Sequence, residues 1–345
     1  MRTVIETYYK ALINNDINLL KTVVSDDIFG VRTYLENTLF INDELYVYCE
    51  TNDIRKVDIV SCLEDNQSAK LVLSLTGENT YLLNVKMEFI NNKIFKVYEV
   101  IDSDNARYKA TISYEGTDFF GYQRQPQQSS IQETIESSIK SAFNLKEDVQ
   151  IHSSGRTDKG VHAYNQVIHF DCTTRIPTNR MKDLLNSYLP DSVYIKNIVQ
   201  TDKTFHSRYD VKSKQYLYKI SFDEFDPLKR HFEWYLKAFD INTYKQALSE
   251  IKGSHDFTSF TKSTDKDTLR TIYDVEVVIE NNTVYTYITG SGFLRYMVRN
   301  IIGAAVNIAS NKHQYSMKEL LEKKDVNLLK DKAPSHGLYL NKVNY

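Results

Sequence analysis

The stretch Ser154–Ala163, SGRTDKGVHA, puts one Arg, one Asp, one Lys, one His and two glycines into ten residues, with little that could build a core. Gln166–Phe170 (QVIHF), just after it, alternates and reads as a strand, and Val149–His152 before it is also strand-like. The charged segment is therefore a loop held between two strands, with Gly155 and Gly160 letting the backbone turn tightly or approach a ligand. Loops on rigid scaffolds are where binding and chemistry concentrate. The same residues also suit a structural Asx-turn, with Asp158 bonding its own backbone. Spacing alone leaves both readings open.

Five other blocks bear on the choice: YEGTDFFGYQRQ (Tyr114–Gln125), FHSRYDVKSKQYLYKI (Phe205–Ile220), HDFTSF (His255–Phe260), GFLRYMVRNIIG (Gly292–Gly303) and APSHGLYL (Ala333–Leu340). Together with GRTDKGVHA, and in this order, they resemble the blocks of the TruA family of tRNA pseudouridine synthases. The likeness runs from about residue 107 to the end and leaves the first hundred or so residues outside it. Two positions depart from the family pattern: Tyr122 stands where Trp is usual, and Lys159 where Ala is common.

The resemblance implies an isomerase that breaks the C1′–N1 bond of uridine, turns the uracil and rejoins it through C5. It acts at positions 38 to 40 of the tRNA anticodon stem-loop, as a homodimer. The reaction oxidises nothing and transfers no group, so no cofactor is expected, and the sequence holds no GxGxxG, Walker or metal motif. The resemblance makes Asp158 the catalytic carboxylate, either attacking the sugar covalently or acting on it as a base. It gives Arg299 as the partner of that carboxylate and Tyr216 as the residue that stacks on the uracil and handles the C5 proton. Arg156 takes the role of filling the gap left by the flipped nucleotide, where a planar guanidinium can stack. Arg208, Lys159 and His162 are expected on the RNA, and Phe293 and Leu294 on the walls of the uracil pocket. Two rival expectations are a catalytically silent RNA-binding module that helps tRNA fold, and a synthase redirected to another RNA.

Other chemistries fit poorly. His152, His162 and His169 match no familiar metal-ligand spacing, so no metal is expected. Ser154, Asp158 and His162 could hardly converge as a hydrolytic triad from one tight loop, and no GxSxG elbow is present. Three scattered cysteines indicate neither a disulfide framework nor a zinc site. The N-terminus lacks a signal-peptide core, and no apolar run approaches the roughly 20 residues of a membrane span. The chain reads as soluble and cytoplasmic.

The 345 residues carry a net charge of −2, which alone argues poorly for a nucleic-acid binder. The charge is uneven. Residues 1–105 hold 10 Lys+Arg against 17 Asp+Glu, and the rest holds 33 against 28. The basic surplus lies with the motifs.

Residues 4–24 show helical spacing broken near Asn14–Asp16, and Ser25-Asp26-Asp27 ends the run. Strands are expected over 45–49, 56–62, 69–75, 81–90 and 94–100, giving a small α+β cone that resembles the NTF2-like (SnoaL-like) group. Its acidity speaks against direct RNA contact. The polar stretch 101–106 reads as a linker. The organisation is thus 1–104 as an accessory domain, 107–205 as a subdomain carrying the catalytic loop, and 206–345 as a second subdomain.

From Tyr108 onward the order is strand, helix (130–145, with Ser129 or Ser130 as a cap), strand, strand, helix (179–188), strand, which suggests one ferredoxin-like unit. A second unit follows: strands at 215–222 and 233–236, a helix at 241–251, a hairpin over 272–290, an apolar helix at 295–310 and a short helix at 318–322. The expected fold is α+β, two halves joined in a broad antiparallel sheet with a central cleft.

Overall fold

The computed structural model describes residues 1–14, 16–32, 37–40, 56–65, 67–76, 80–101, 106–174, 176, 178–262, 267–329 and 331–345. The expected strand at 45–49 and most of the 101–106 linker lie outside the described residues.

The first part consists of α1 (Arg2–Ile13), α2 (Ile17–Val23), β1 (Val24–Arg32), β2 (Asn37–Phe40), β3 (Lys56–Glu64), β4 (Ser68–Thr76), β5 (Thr80–Ile90) and β6 (Lys93–Ile101). Asp16 caps α2, its carboxylate accepting from the Leu19 N–H. The strands form one sheet ordered β2-β1-β6-β5-β4-β3, antiparallel except for the β1–β6 pair. Ile5, Tyr8 and Leu20 from the helices pack with Leu71, Leu73, Met87 and Ile94 from the sheet. The helical run stops at Val23, just before Ser25-Asp26-Asp27 as the sequence reading has it, and those residues lie within the strand β1 that begins there.

The second part is built on another sheet. Its elements are β7 (Ala106–Tyr114), α3 (Ile131–Ala142), β8 (Ile151–Ser153), β9 (His162–Cys172), α4 (Thr178–Tyr188), β10 (Val193–Thr201), β11 (Ser213–Ser221), β12 (Trp234–Tyr235), α5 (Ile241–Ser249), β13 (Gly253–Asp256), β14 (Leu269–Glu280), β15 (Thr283–Gly290), α6 (Met297–Ala309), α7 (Met317–Lys323) and β16 (Leu338–Asn344). The sheet runs β10-β7-β9-β16-β11-β15-β14-β13, with β8 beside β9 and β12 beside β11.

β7 shows how sequence sets this layer. Tyr108, Ala110, Ile112 and Tyr114 are buried and their neighbours are not, the period of a strand with one covered face. Over that face lies α3, whose Ile131, Ile135 and Ile139 recur at helical spacing and are all buried. Each fully buried Ile side chain contributes about 1.5–3 kcal/mol. Ser130 caps the helix, its hydroxyl accepting from the Glu133 N–H at 3.3 Å.

The expected broad antiparallel sheet contains two parallel pairs, the short β11–β12 pair and the joint between the halves. The halves meet at β9 and β16, which run parallel, with Tyr339 opposite His162 and Leu340 opposite Ala163. The C-terminal strand β16 is thus the joint, antiparallel to β11 on its other side. It places β9, which the loop Ser154–Gly160 enters, one strand away from β11, which carries Tyr216.

One buried carboxylate supports that loop from behind. Glu136 on α3 is only 5 % exposed; it accepts from Gln132 Nε2 at 2.9 Å and from the Ile151 N–H at 2.9 Å, and it pairs with Arg124. Glu136→Ala leaves a buried N–H without an acceptor, which costs about 1–3 kcal/mol. The expected result is a fall of several degrees in the thermal unfolding midpoint, read by circular dichroism. A midpoint equal to that of the unaltered protein would show that the pair contributes nothing.

Candidate active site

The loop from Ser154 to Gly160 is fixed by many short bonds. The Ser154 N–H donates to Val167 O at 2.8 Å, Gln166 Nε2 to Gly155 O at 2.6 Å, and the Tyr122 N–H to Thr157 O at 3.0 Å. The hydroxyls of Tyr114 and Thr157 bond at 2.7 Å, both buried. Gly160 has φ +74°, and a Cβ there would come 2.8 Å from Ser335 Oγ, so the turn needs glycine for both reasons.

Asp158 sits on this loop with its side chain 24 % exposed. Arg299 Nη1 lies 3.5 Å from Asp158 Oδ2, and Arg299 Nε donates to Ala333 O at 2.7 Å. Arg299 lies in the first turn of α6 and is 8 % exposed, among buried apolar neighbours such as Val298 and Ile302. The carboxylate and the guanidinium are 141 residues apart in sequence. Burial pushes the Asp158 carboxyl above its ordinary value, and Arg299, Arg295 and Lys332 oppose that shift.

Both groups line a cavity of about 460 Å³, together with Thr117, Lys159, Gly160, His231, Tyr296, Lys332, Ser335 and His336. Tyr216 lies on β11, close enough to Asp158 to feel its charge. It is 8 % exposed and meets Phe293 edge-on, with ring centroids 4.9 Å apart. Burial, with the Tyr114 hydroxyl and the Asp158 charge adding to it, raises the Tyr216 pKa, so at neutral pH it is a hydroxyl and not a phenolate. Leu294 is buried. Tyr216, Phe293 and Leu294 are not among the residues that line this cavity.

The expected RNA-contacting residues divide. Arg156 and Arg208 are exposed, and Arg208 leaves a turn that is pinned where Ser207 Oγ donates to His152 O at 2.8 Å. Lys159 is exposed, with Nζ 3.7 Å from the Phe120 ring centroid. His162 is a correction. It is 2 % exposed, its Nδ1 accepts from the Gly116 N–H at 3.1 Å, and its Nε2 lies 2.8 Å from His231 O. That pattern requires a neutral ring with the proton on Nε2. Both nitrogens are used inside the protein, so His162 holds the loops around the cavity and has nothing free to offer RNA.

The sequence reading missed Tyr296, Lys332, His231 and His336, which line the cavity. Tyr296 has φ +65° just before α6, and Lys332 Nζ lies 3.8 Å from its ring centroid. The signal available was position: Tyr296 lies within GFLRYMVRN, and Lys332 and His336 flank Pro334. Among the described residues, no three His, Cys, Asp or Glu side chains gather as a metal site, and no helix is long and apolar enough to cross a membrane.

A tightly bonded loop carrying a partly buried carboxylate, met by an arginine from a distant helix at an open cavity, is the arrangement of an enzyme site. The family model described as tRNA pseudouridine synthase matches residues 110–210 and 247–345, and the chain belongs to that family. Over 243 residues it is 41 % identical to the tRNA pseudouridine synthase A of Exiguobacterium sp. (strain ATCC BAA-1283 / AT1b), covering 69 % of this chain and 98 % of that one. The protein of the same name from Thermotoga sp. (strain RQ2) is 39 % identical over the same shares. An NTF2-like protein of unknown function from Cytophaga hutchinsonii matches 30 % of this chain and 90 % of its own at 10 % identity; its TM-score of 0.26 is too low to carry an argument.

Proposed function

We propose that the chain isomerises uridine to pseudouridine in the tRNA anticodon stem-loop, at positions 38 to 40, with Asp158 as the catalytic group and no cofactor. The observation that carries this reading is the Asp158–Arg299 pair on the wall of one cavity. Family membership and the names of the relatives support it.

The roles follow from the chemistry. A carboxylate must meet the nucleotide in its charged form; Arg299 keeps Asp158 charged against the pull of burial. The nucleotide must leave its stack, at a cost of a few kcal/mol. Arg156, exposed two residues from Asp158, fills the vacated space. Arg208 and Lys159 bind phosphate, Lys159 from the cavity wall. Tyr216, with Phe293 edge-on against it, supports the uracil; being a hydroxyl, it can take up the C5 proton only while passing its own proton on.

The synthase comprises residues 107–205 and 206–345, two ferredoxin-like halves, and works as a homodimer in the cytoplasm. Residues 1–104 are an accessory NTF2-like domain. Two hydrophobic clusters that share no residue support that division.

The test is incubation with unmodified tRNA transcripts, followed by pseudouridine mapping through carbodiimide-blocked primer extension. Stops at positions 38 to 40 are expected. RNA bound but unmodified would replace the reading with a silent tRNA-folding module; stops elsewhere, or only in another RNA, would redirect the enzyme.

A further inference from the structure

The bonds that fix the catalytic loop come mainly from its own half of the sheet: from β7, from β9 and from Tyr122. Two cations reach it from the other half. One is Arg299, on the Asp158 carboxylate. The other is Lys214, whose Nζ donates to the carbonyl oxygen of Ser154. Lys214 lies on β11, two residues before Tyr216, so both side chains stand on the same face of the strand. A Cβ on Gly155 would lie 3.1 Å from Lys214 Nζ. Glycine at 155 leaves room for the ammonium beside the loop backbone, where a Cβ would crowd it.

The site of Lys214 is unusual for a lysine. It is mostly buried, and no carboxylate among the described residues pairs with it. In the sheet it is opposite Gly290, which is opposite Ile272, and Arg270 stands two residues further along β14. Arg208 approaches from the turn after β10. The charged groups acting on Lys214 are these two arginines, both cations. A lysine kept at such a site is explained by what it holds, which is the start of the loop that ends in Asp158.

We propose that Lys214 is a positioning residue that ties the Ser154–Asp158 loop to β11, so that Asp158 keeps its place against Arg299 and the cavity. This rests on the proposed synthase activity. An Å-scale misplacement of a reacting group costs on the order of 10²-fold in rate, and that is the effect expected when the tie is cut. The tie is also sensitive to pH. Burial, with Arg208 and Arg270 adding to it, pulls the Lys214 pKa down to about 8. Raising the pH through that value removes the charge, weakens the charge-assisted bond and loosens the loop.

Single-turnover release of tritium from tRNA labelled at uridine C5, filter binding and amide hydrogen exchange together test this. Lys214→Met is expected to slow turnover on the order of 10²-fold with tRNA affinity unchanged, and to speed exchange across residues 154–160. Lys214→Arg is expected to restore most of the rate and to lose the decline that the unaltered enzyme shows above about pH 8, because Arg does not titrate there. The proposal is overturned if Lys214→Met turns over at the normal rate, or if it weakens binding and lowers the salt slope by about one, the mark of a lost phosphate contact. A decline above pH 8 that persists in Lys214→Arg overturns it as well, and that variant still decides the matter if Lys214→Met does not fold. An unaltered enzyme that modifies no tRNA sinks the functional reading instead, and the exchange measurement then judges the tie by itself.

Discussion

Asp158→Asn is expected to abolish pseudouridine formation, by at least about 10⁴-fold in single-turnover rate, while leaving tRNA binding intact. Loss of a positioned acid–base group alone accounts for about 10²–10⁴-fold; if Asp158 attacks the sugar, no residual route remains. Asparagine keeps the size and one acceptor oxygen, so Arg299 can still donate to it and the loop bonds to Thr157 and Gly155 are untouched. Rate and affinity therefore separate in this variant. Normal turnover by Asp158→Asn would remove Asp158 from the chemistry altogether.

The pH dependence of the unaltered enzyme gives the same residue a second test. The reactive form is the carboxylate, and burial raises its pKa above the ordinary 3.8 despite the three nearby cations. Activity should thus rise with pH along a limb lying above that of an ordinary aspartate. The linkage sign follows: a carboxyl with a raised folded-state pKa contributes stability at low pH that is lost as pH rises through that pKa. At neutral pH the ionised Asp158 burdens the fold. Asp158→Asn is then expected to melt no lower than the unaltered protein, which separates its inactivity from unfolding.

Much of the architecture was legible because it repeats. The face of β7 and the Ile131–Ile135–Ile139 stripe of α3 declare themselves by period, and Ser130 by its place before Glu133. Features that depend on a partner far along the chain were not legible. Glu136 looks like a solvent-facing helix residue until β8 is set against it. β16 carries too little alternation to announce that it joins the halves, since Leu338, Tyr339 and Leu340 are all buried. The site divides likewise. The Asp158 loop stood out by composition; the apolar neighbours of Arg299 mark it as a semi-buried arginine in need of a partner, but only the family likeness named Asp158 as that partner. His162 was misassigned because adjacency to Asp158 does not tell which way a side chain faces; the first residue of β9 points into the protein. Lys214 did leave a trace, two positions before Tyr216, where strand period places it toward the same face.

Arg299→Met is expected to slow catalysis at neutral pH and to move the acid limb upward. The guanidinium is the leading influence holding down the Asp158 pKa, through charge and through the hydrogen bond. Without it, burial acts with less opposition, and the limb should move upward. Activity lost in the variant should therefore return in part as the pH is raised, which a merely misfolded variant would not do. Arg299→Lys should recover little, because one ammonium cannot serve both the Ala333 carbonyl and the Asp158 carboxylate as the planar fork does. The double variant Asp158→Asn/Arg299→Met isolates the coupling. In the single Arg299→Met protein a buried carboxylate has lost its main counter-charge, at a cost in stability that Asp158→Asn relieves, so the two substitutions should combine non-additively in the melting midpoint. Strict additivity, or an acid limb that stays in place in Arg299→Met, would mean that the guanidinium packs beside the carboxylate without governing its charge.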